Sequence, residues 1–170
     1  MAILPILRFP DPRLRAVAEP VERIDGELRQ LAADLLETMR AAPGVGITAG
    51  VGITAPHVGV PLRLVVLELT PGDVRTYANP QILWASPETS RATEGSVSMP
   101  GVTEEIERPA KVRLSWRDLD GAAHEAEAEG FLATCHQHEI DQLDGIFWLQ
   151  RLSRLKRERV IARYGKLGRG

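Results

Sequence analysis

Gln137-His138-Glu139-Ile140-Asp141-Gln142-Leu143-Asp144-Gly145 is the stretch on which the reading of this chain turns. Residues four apart on an α-helix lie one above the other on a single face. A His-Glu-x-x-His run therefore grips a metal between two imidazoles, while the Glu between them works as a general base. Here His138 and Glu139 stand, but Gln142 occupies the second His position. An amide oxygen is a much poorer ligand than imidazole for zinc or ferrous iron. The helix has the form of a metal site with its last ligand missing.

Working outward, the helix is expected over about residues 130–143, with Gly145 as its stop. Phe131, Cys135, His138 and Gln142 recur at spacings that place them on one inward face, which begins apolar and ends polar. Buried polar groups need partners, so that face points to a site. Upstream, Lys111 to Trp116 alternates polar and apolar residues. Asp118-Leu119-Asp120-Gly121 then supplies a turn toward a hairpin partner over Ala122 to Glu129. Arg63 to Leu69 and Val74 to Ala78 read as strands, the second ending before Asn79-Pro80. Asp25 is a good N-cap for a helix over about 26–42, and Ser153 for a last helix. Strands joined by short turns and followed by helices favour an antiparallel α+β fold.

Composition narrows the function classes. A chain of 170 residues, 44% hydrophobic and 26% charged, suits one domain over 1–170 with a real core. No apolar run approaches the ~20 residues of a membrane helix, and the N-terminus does not read as a signal peptide. The lone Cys135 excludes an internal disulfide and fits a reducing, cytoplasmic setting. A net charge of −2 argues against DNA or other whole-surface nucleic-acid binding. The basic residues gather at the end, where Arg151, Arg154, Lys156, Arg157, Arg159, Arg163, Lys166 and Arg169 face one acid, Glu158. The tandem Gly44-Val45-Gly46-Ile47-Thr48-Ala49 and Gly50-Val51-Gly52-Ile53-Thr54-Ala55 lengthens one glycine-rich loop. It lacks the Gly-Lys-Ser/Thr ending of a phosphate loop.

Three segments in order resemble peptide deformylase, the metal hydrolase that removes the formyl group from new bacterial protein N-termini. Gly50-Val51-Gly52-Ile53-Thr54-Ala55-Pro56-His57 is similar to its glycine-rich motif, which ends in Gln. Glu94-Gly95-Ser96-Val97-Ser98 is similar to its Glu-Gly-Cys-Leu-Ser motif, and Gln137 to Gly145 to its His-Glu-x-x-His motif. Asn79-Pro80-Gln81-Ile82-Leu83 resembles the Asn-Pro segment that precedes the second motif, and the likeness runs from Arg8 to about Leu155. The resemblance implies antiparallel sheets wrapped around a central helix, with a C-terminal helix beyond.

It also implies roles. Glu139 corresponds to the general base, and the backbone N–H of Val97 with the side chain of His57 to the oxyanion donors. Gly50, Gly52, Ile53 and Gly95 correspond to substrate-binding positions. Ser96, His138 and Gln142 stand at the three metal-ligand positions, where the family uses Cys and two His to hold Fe²⁺, or Zn²⁺ or Nickel(II). A seryl hydroxyl supplies no soft thiolate and ligates poorly near neutral pH. The expectations are weak or absent hydrolysis of formyl-methionyl peptides, and no bound metal. The alternative is a non-catalytic binder of formylated or nascent peptides, ribosome-associated through the basic residues 151–170. Ser96 is expected to bond its neighbours and Gln142 to bond His138 or Glu139. Cys135 reads as a small buried apolar residue, His136 as facing away from His138, and His124 as surface.

Overall fold

The computed structural model describes residues 2–42 and 51–168; the first copy of the glycine repeat and Gly50 lie outside the described residues. Strands β1 (Gly52–Thr54), β2 (Leu64–Glu68), β3 (Val74–Ala85), β6 (Lys111–Arg117) and β7 (Ala123–Glu129) form one antiparallel sheet in the order β1-β2-β3-β6-β7. Strands β4 (Thr89–Ser96) and β5 (Met99–Pro109) pair antiparallel as a second sheet. Helices α1 (Gly26–Ala41), α2 (Gly130–Leu143) and α3 (Arg154–Leu167) complete the α+β arrangement.

Each helix begins and ends for a local reason. Asp25 caps α1 by accepting the Leu28 N–H at 2.9 Å, and Ser153 caps α3 by accepting that of Lys156 at 3.3 Å. Leu28, Ala32, Leu35 and Met39 of α1 pack onto Ile53, Leu64 and Val66 to form the core beneath the sheet. Helix α2 stops where Gly145 turns left-handed at φ 76°. A Cβ there would lie 2.6 Å from the Arg15 carbonyl oxygen, so glycine serves both the turn and the close approach.

Three expectations need correction. First, α2 is not an amphipathic helix with one inward stripe: every residue from Ala133 to Leu143 is buried. It threads between the two sheets, so polar side chains are buried on more than one of its faces. Second, β3 does not end before Asn79-Pro80 but continues to Ala85. Asn79 takes φ 51°, and the register with β6 shifts there as a bulge. Its side chain accepts the Val21 N–H at 2.7 Å and donates to the Val21 carbonyl at 2.9 Å, tying the N-terminal arm to the sheet. Third, the hairpin of β4 and β5 was not read as strands. Its solvent face is charged, and two of its inward positions carry Glu94 and Arg108 in place of apolar residues.

The Asn79 bridge has a measurable consequence. Asn79→Ala loses both bonds to Val21 and puts alanine, which lacks the short amide that makes left-handed backbone tolerable for Asn, at φ 51°, so urea unfolding should show a loss of about 2–4 kcal/mol. Asn79→Gly keeps the backbone unstrained and should lose clearly less. Equal losses would show that the backbone conformation contributes nothing.

Candidate active site

Helix α2 carries His138 and Glu139 into the space between β1 and the β4–β5 hairpin. His138 Nδ1 lies 2.8 Å from Glu94 Oε1. Arg108 grips the same carboxylate with both arms, Nε to Oε2 at 2.7 Å and Nη2 to Oε1 at 2.9 Å. It also reaches Asp141 at 2.8 Å, and Arg151 closes the chain on Asp141 at 2.8 and 2.7 Å. Burial of Glu94 favours its neutral acid, but the hydrogen bonds from His138 and Arg108 outweigh it and hold the group down to about 2. The ionised Glu94 therefore accepts the Nδ1–H of His138, which turns Nε2 toward the site. Burial opposes charge on His138 too, yet the bond to Glu94 and the nearby Glu139 raise it above the ordinary imidazole value.

Glu139 is the group best suited to proton transfer. Its Oε1 lies 3.9 Å from His138 Nε2, and its Oε2 is buried with no hydrogen-bond partner among the described residues. Burial pushes its carboxyl up to about 7, against the pull of the His138 charge. Near neutrality it can take or give a proton. Gly52 makes this crowding feasible, because a Cβ at that position would come within 2.9 Å of Glu139 Oε1.

His57 sits in a 3₁₀ turn over Ala55–Val58, directly after β1. Its Nδ1 is 2.9 Å from the Thr54 N–H and 2.9 Å from Thr54 Oγ1, while its buried Nε2 has no partner among the described residues. Burial, with the charge of His138 close by, lowers this imidazole to about 3. It stays neutral under all ordinary conditions.

The remaining expected residues divide. Ser96 bonds a neighbour as anticipated, its Oγ accepting the Ser98 N–H at 3.1 Å. Val97 and Gly95 are buried beside it at the tip of the hairpin, and Arg8 donates to the Val97 carbonyl. Gln142 departs from expectation: its amide donates to the Leu14 carbonyl at 2.6 Å and not to His138 or Glu139. Leu14 lies in a short 3₁₀ turn (Pro12–Arg15), and this contact draws the Gln142 side chain toward that arm. Ile53 is fully buried in the core cluster with Leu28, Leu35 and Leu64. Gly50 lies outside the described residues. Cys135 is buried, and burial pushes its thiol well up, away from any ready thiolate. His136 stacks edge-on against Tyr77 at 4.8 Å, on the far side of the helix from His138. His124 is partly exposed, stacked on Trp116 and bonded to Asp118 at 2.6 Å.

Arg108, Asp141, Arg151 and Thr54 were missed from sequence. Arg108 had a readable signal, as it follows Val102 and Ile106 on the inward period of β5. The opposite face of α2 is a separate place. A cavity of about 700 Å³ opens there, walled by Gln137, Ile140, Asp141 and Asp144 with Arg63 and Arg108.

These donors do not fit a metal such as Fe²⁺, Zn²⁺ or nickel. Ser96 offers a hydroxyl in place of a thiolate, its Oγ accepting the Ser98 N–H, and Gln142 offers an amide whose Nε2 is tied to the Leu14 carbonyl. Among the described residues no group of three or more His, Cys, Asp or Glu side chains could hold an ion. His138 alone is an ordinary ligand.

A family model described as polypeptide deformylase matches residues 3–158. A peptide deformylase-like protein of Bradyrhizobium diazoefficiens is 60% identical over 171 residues, covering 100% of this chain and 97% of its own. A peptide deformylase of Afipia carboxidovorans is 46% identical, covering 98% of this chain and 96% of its own. The crystal structure of a Legionella pneumophila peptide deformylase matches with TM-score 0.89 and 36% identity, over 99% of this chain and 96% of that one. That of the Ehrlichia chaffeensis enzyme in complex with actinonin matches with TM-score 0.87 and 35% identity, over 100% of both.

The depressed His57 sets a pH signature. The unfolded chain binds a proton on this ring below about 6.5 and the folded chain only below about 3, so His57 contributes stability above 6.5 that is lost as pH falls toward 3. His57→Gln should flatten the pH dependence of unfolding free energy in that window, by up to about 1.4 kcal/mol per pH unit. Glu139 acts with the opposite sign, its contribution being lost as pH rises from 4.5 through about 7. Parallel profiles for wild type and His57→Gln below pH 6.5 would contradict the buried neutral ring.

Proposed function

Because the chain belongs to the polypeptide deformylase family, we propose that it recognises formylated N-termini of nascent peptides and hydrolyses the formyl group weakly or not at all. The observation that carries this reading is the donor set at the three metal positions. Ser96 and Gln142 place a hydroxyl and an amide, both poor ligands for these ions, where the family has a thiolate and an imidazole, and each already bonds a neighbour, Ser98 or Leu14. Loss of an outer-shell partner alone weakens metal binding ~10–100-fold, and two direct ligands are replaced here. Members of the family are metal hydrolases, and the metal's part is to activate water at neutral pH. Without it, Glu139 has little to deprotonate.

The recognition half of the site supports binding. A formyl oxygen would be met by the Val97 N–H and the His57 ring, and the adjoining amide by Glu139. The basic helix α3 suits a position near ribosomal RNA phosphates, where nascent chains emerge into the cytoplasm. Among the described residues no helix is long and apolar enough to cross a membrane.

The test compares formyl-Met-Ala-Ser with Met-Ala-Ser. Calorimetry should show the formylated peptide binding more tightly, with a deformylation rate near background in the presence of Fe²⁺ or Ni²⁺. The double variant Ser96→Cys with Gln142→His should gain metal-dependent turnover of roughly 100-fold or more over the parent. A parent that turns over as fast as the double variant would overturn the reading, as would equal affinity for the two peptides.

A further inference from the structure

The orphaned Nε2 of His57 and the two groups that meet its Nδ1 lead to a specific assignment. We propose that Thr54 is a positioning residue that locks His57 in the Nε2–H tautomer, so that His57 serves the cleft as a hydrogen-bond donor to a carbonyl oxygen and not as a metal ligand. The ligand half of this rests on the formyl-peptide reading above; the tautomer does not.

A backbone N–H can only donate. The Thr54 N–H lies 2.9 Å from His57 Nδ1, so Nδ1 must offer its lone pair there. The Thr54 hydroxyl, also at 2.9 Å, can add a second donor to the same nitrogen. A neutral imidazole carries one proton, which is then on Nε2. The opposite tautomer would set two N–H groups against each other and leave a buried donor unpaired, a disadvantage of roughly tenfold or more in population. Thr54 is fully buried and extended at the head of the 3₁₀ turn, so its position is fixed by both β1 and the turn. The backbone supplies one bond, and the side chain identity supplies the other.

The consequences concern both metal and ligand. An imidazole binds a metal through a lone pair, and on His57 the only lone pair faces Thr54. His57 is thereby removed as a substitute for the ligands missing at Ser96 and Gln142. Its Nε2–H is a buried donor without a partner among the described residues, the kind of group that a ligand oxygen satisfies. A formamide offers that oxygen. A free N-terminal ammonium offers only more N–H groups, so His57 would discriminate formylated from unformylated peptide by roughly tenfold or more.

The experiment is ¹⁵N NMR of the full chain labelled at histidine ring nitrogens, at pH 7. His57 should show a protonated Nε2 and an unprotonated Nδ1, with no change on adding Zn²⁺. Thr54→Val, which removes the hydroxyl but keeps the backbone N–H, should leave His57 protonated at Nε2, because the remaining neighbour of Nδ1 can only donate. Formyl-Met-Ala should shift the His57 Nε2–H signal. A ring protonated at Nδ1 in the wild type or in Thr54→Val, or a Zn²⁺-induced shift at His57, would overturn the positioning role. Peptide binding that leaves the His57 signal unmoved would overturn its donor role. Failure of the peptide to bind at all would count against the formyl-peptide reading while the tautomer, read without ligand, would still stand.

Discussion

The buried Glu94 carboxylate, clamped by Arg108 and bonded to His138, is the constraint on which the rest of the site depends. Glu94 of β4 and Arg108 of β5 join their side chains on the inner face of the hairpin, although Glu94 pairs in register with Glu104, and His138 comes from α2. One carboxylate thus joins the second sheet to the central helix. Its neighbour Asp141, one turn further along the helix, binds both Arg108 and Arg151 and so fixes the start of the C-terminal segment. Buried ion pairs add little net stability against an apolar alternative, but removing one partner strands a charge and costs about 3–5 kcal/mol. The network therefore sets where α2 sits more than how stable the fold is.

That distinction bears on a site in which Glu94 orients His138 while Ser96 and Gln142 make other contacts. The Glu94–His138 pair is the arrangement that orients an imidazole for a metal, with Nδ1 donating outward and Nε2 turned in. Ser96 and Gln142 satisfy other demands, closing the hairpin tip and tethering the arm at Leu14. What remains around the gap is a neutral His57, a proton-exchanging Glu139 and closely approaching glycine backbone.

Much of this was legible in the sequence because local signals agreed with the tertiary ones. Gly130–Leu143 spans the residues expected for the central helix, since Gly145 permits the left-handed stop and tertiary packing did not contest it. Asp25 and Ser153 cap the helices that their side chains announce. The Lys111–Arg117 and Ala123–Glu129 hairpin followed from alternation and an Asp-Gly turn. The illegible parts are those where a polar residue takes an inward place. Glu94 and Arg108 hid a hairpin by standing where alternation calls for apolar residues. Asn79 carried a strand through an Asn-Pro step by bulging it. Gln142 found a partner 128 residues away in sequence, which no periodicity encodes. Thr54 carried no signal of its own, because its bond to His57 depends on the turn that brings them together.

The central claim is that the residues at the metal positions no longer hold an ion. It is tested most directly by elemental mass spectrometry on the chain purified anaerobically without chelators, then offered Fe²⁺, Ni²⁺ or Zn²⁺ and desalted. The account predicts metal far below stoichiometric, with no rise in unfolding temperature on metal addition. A tightly held ion on every chain would contradict it, and would mean that Ser96 or Gln142 leaves its present partner to ligate.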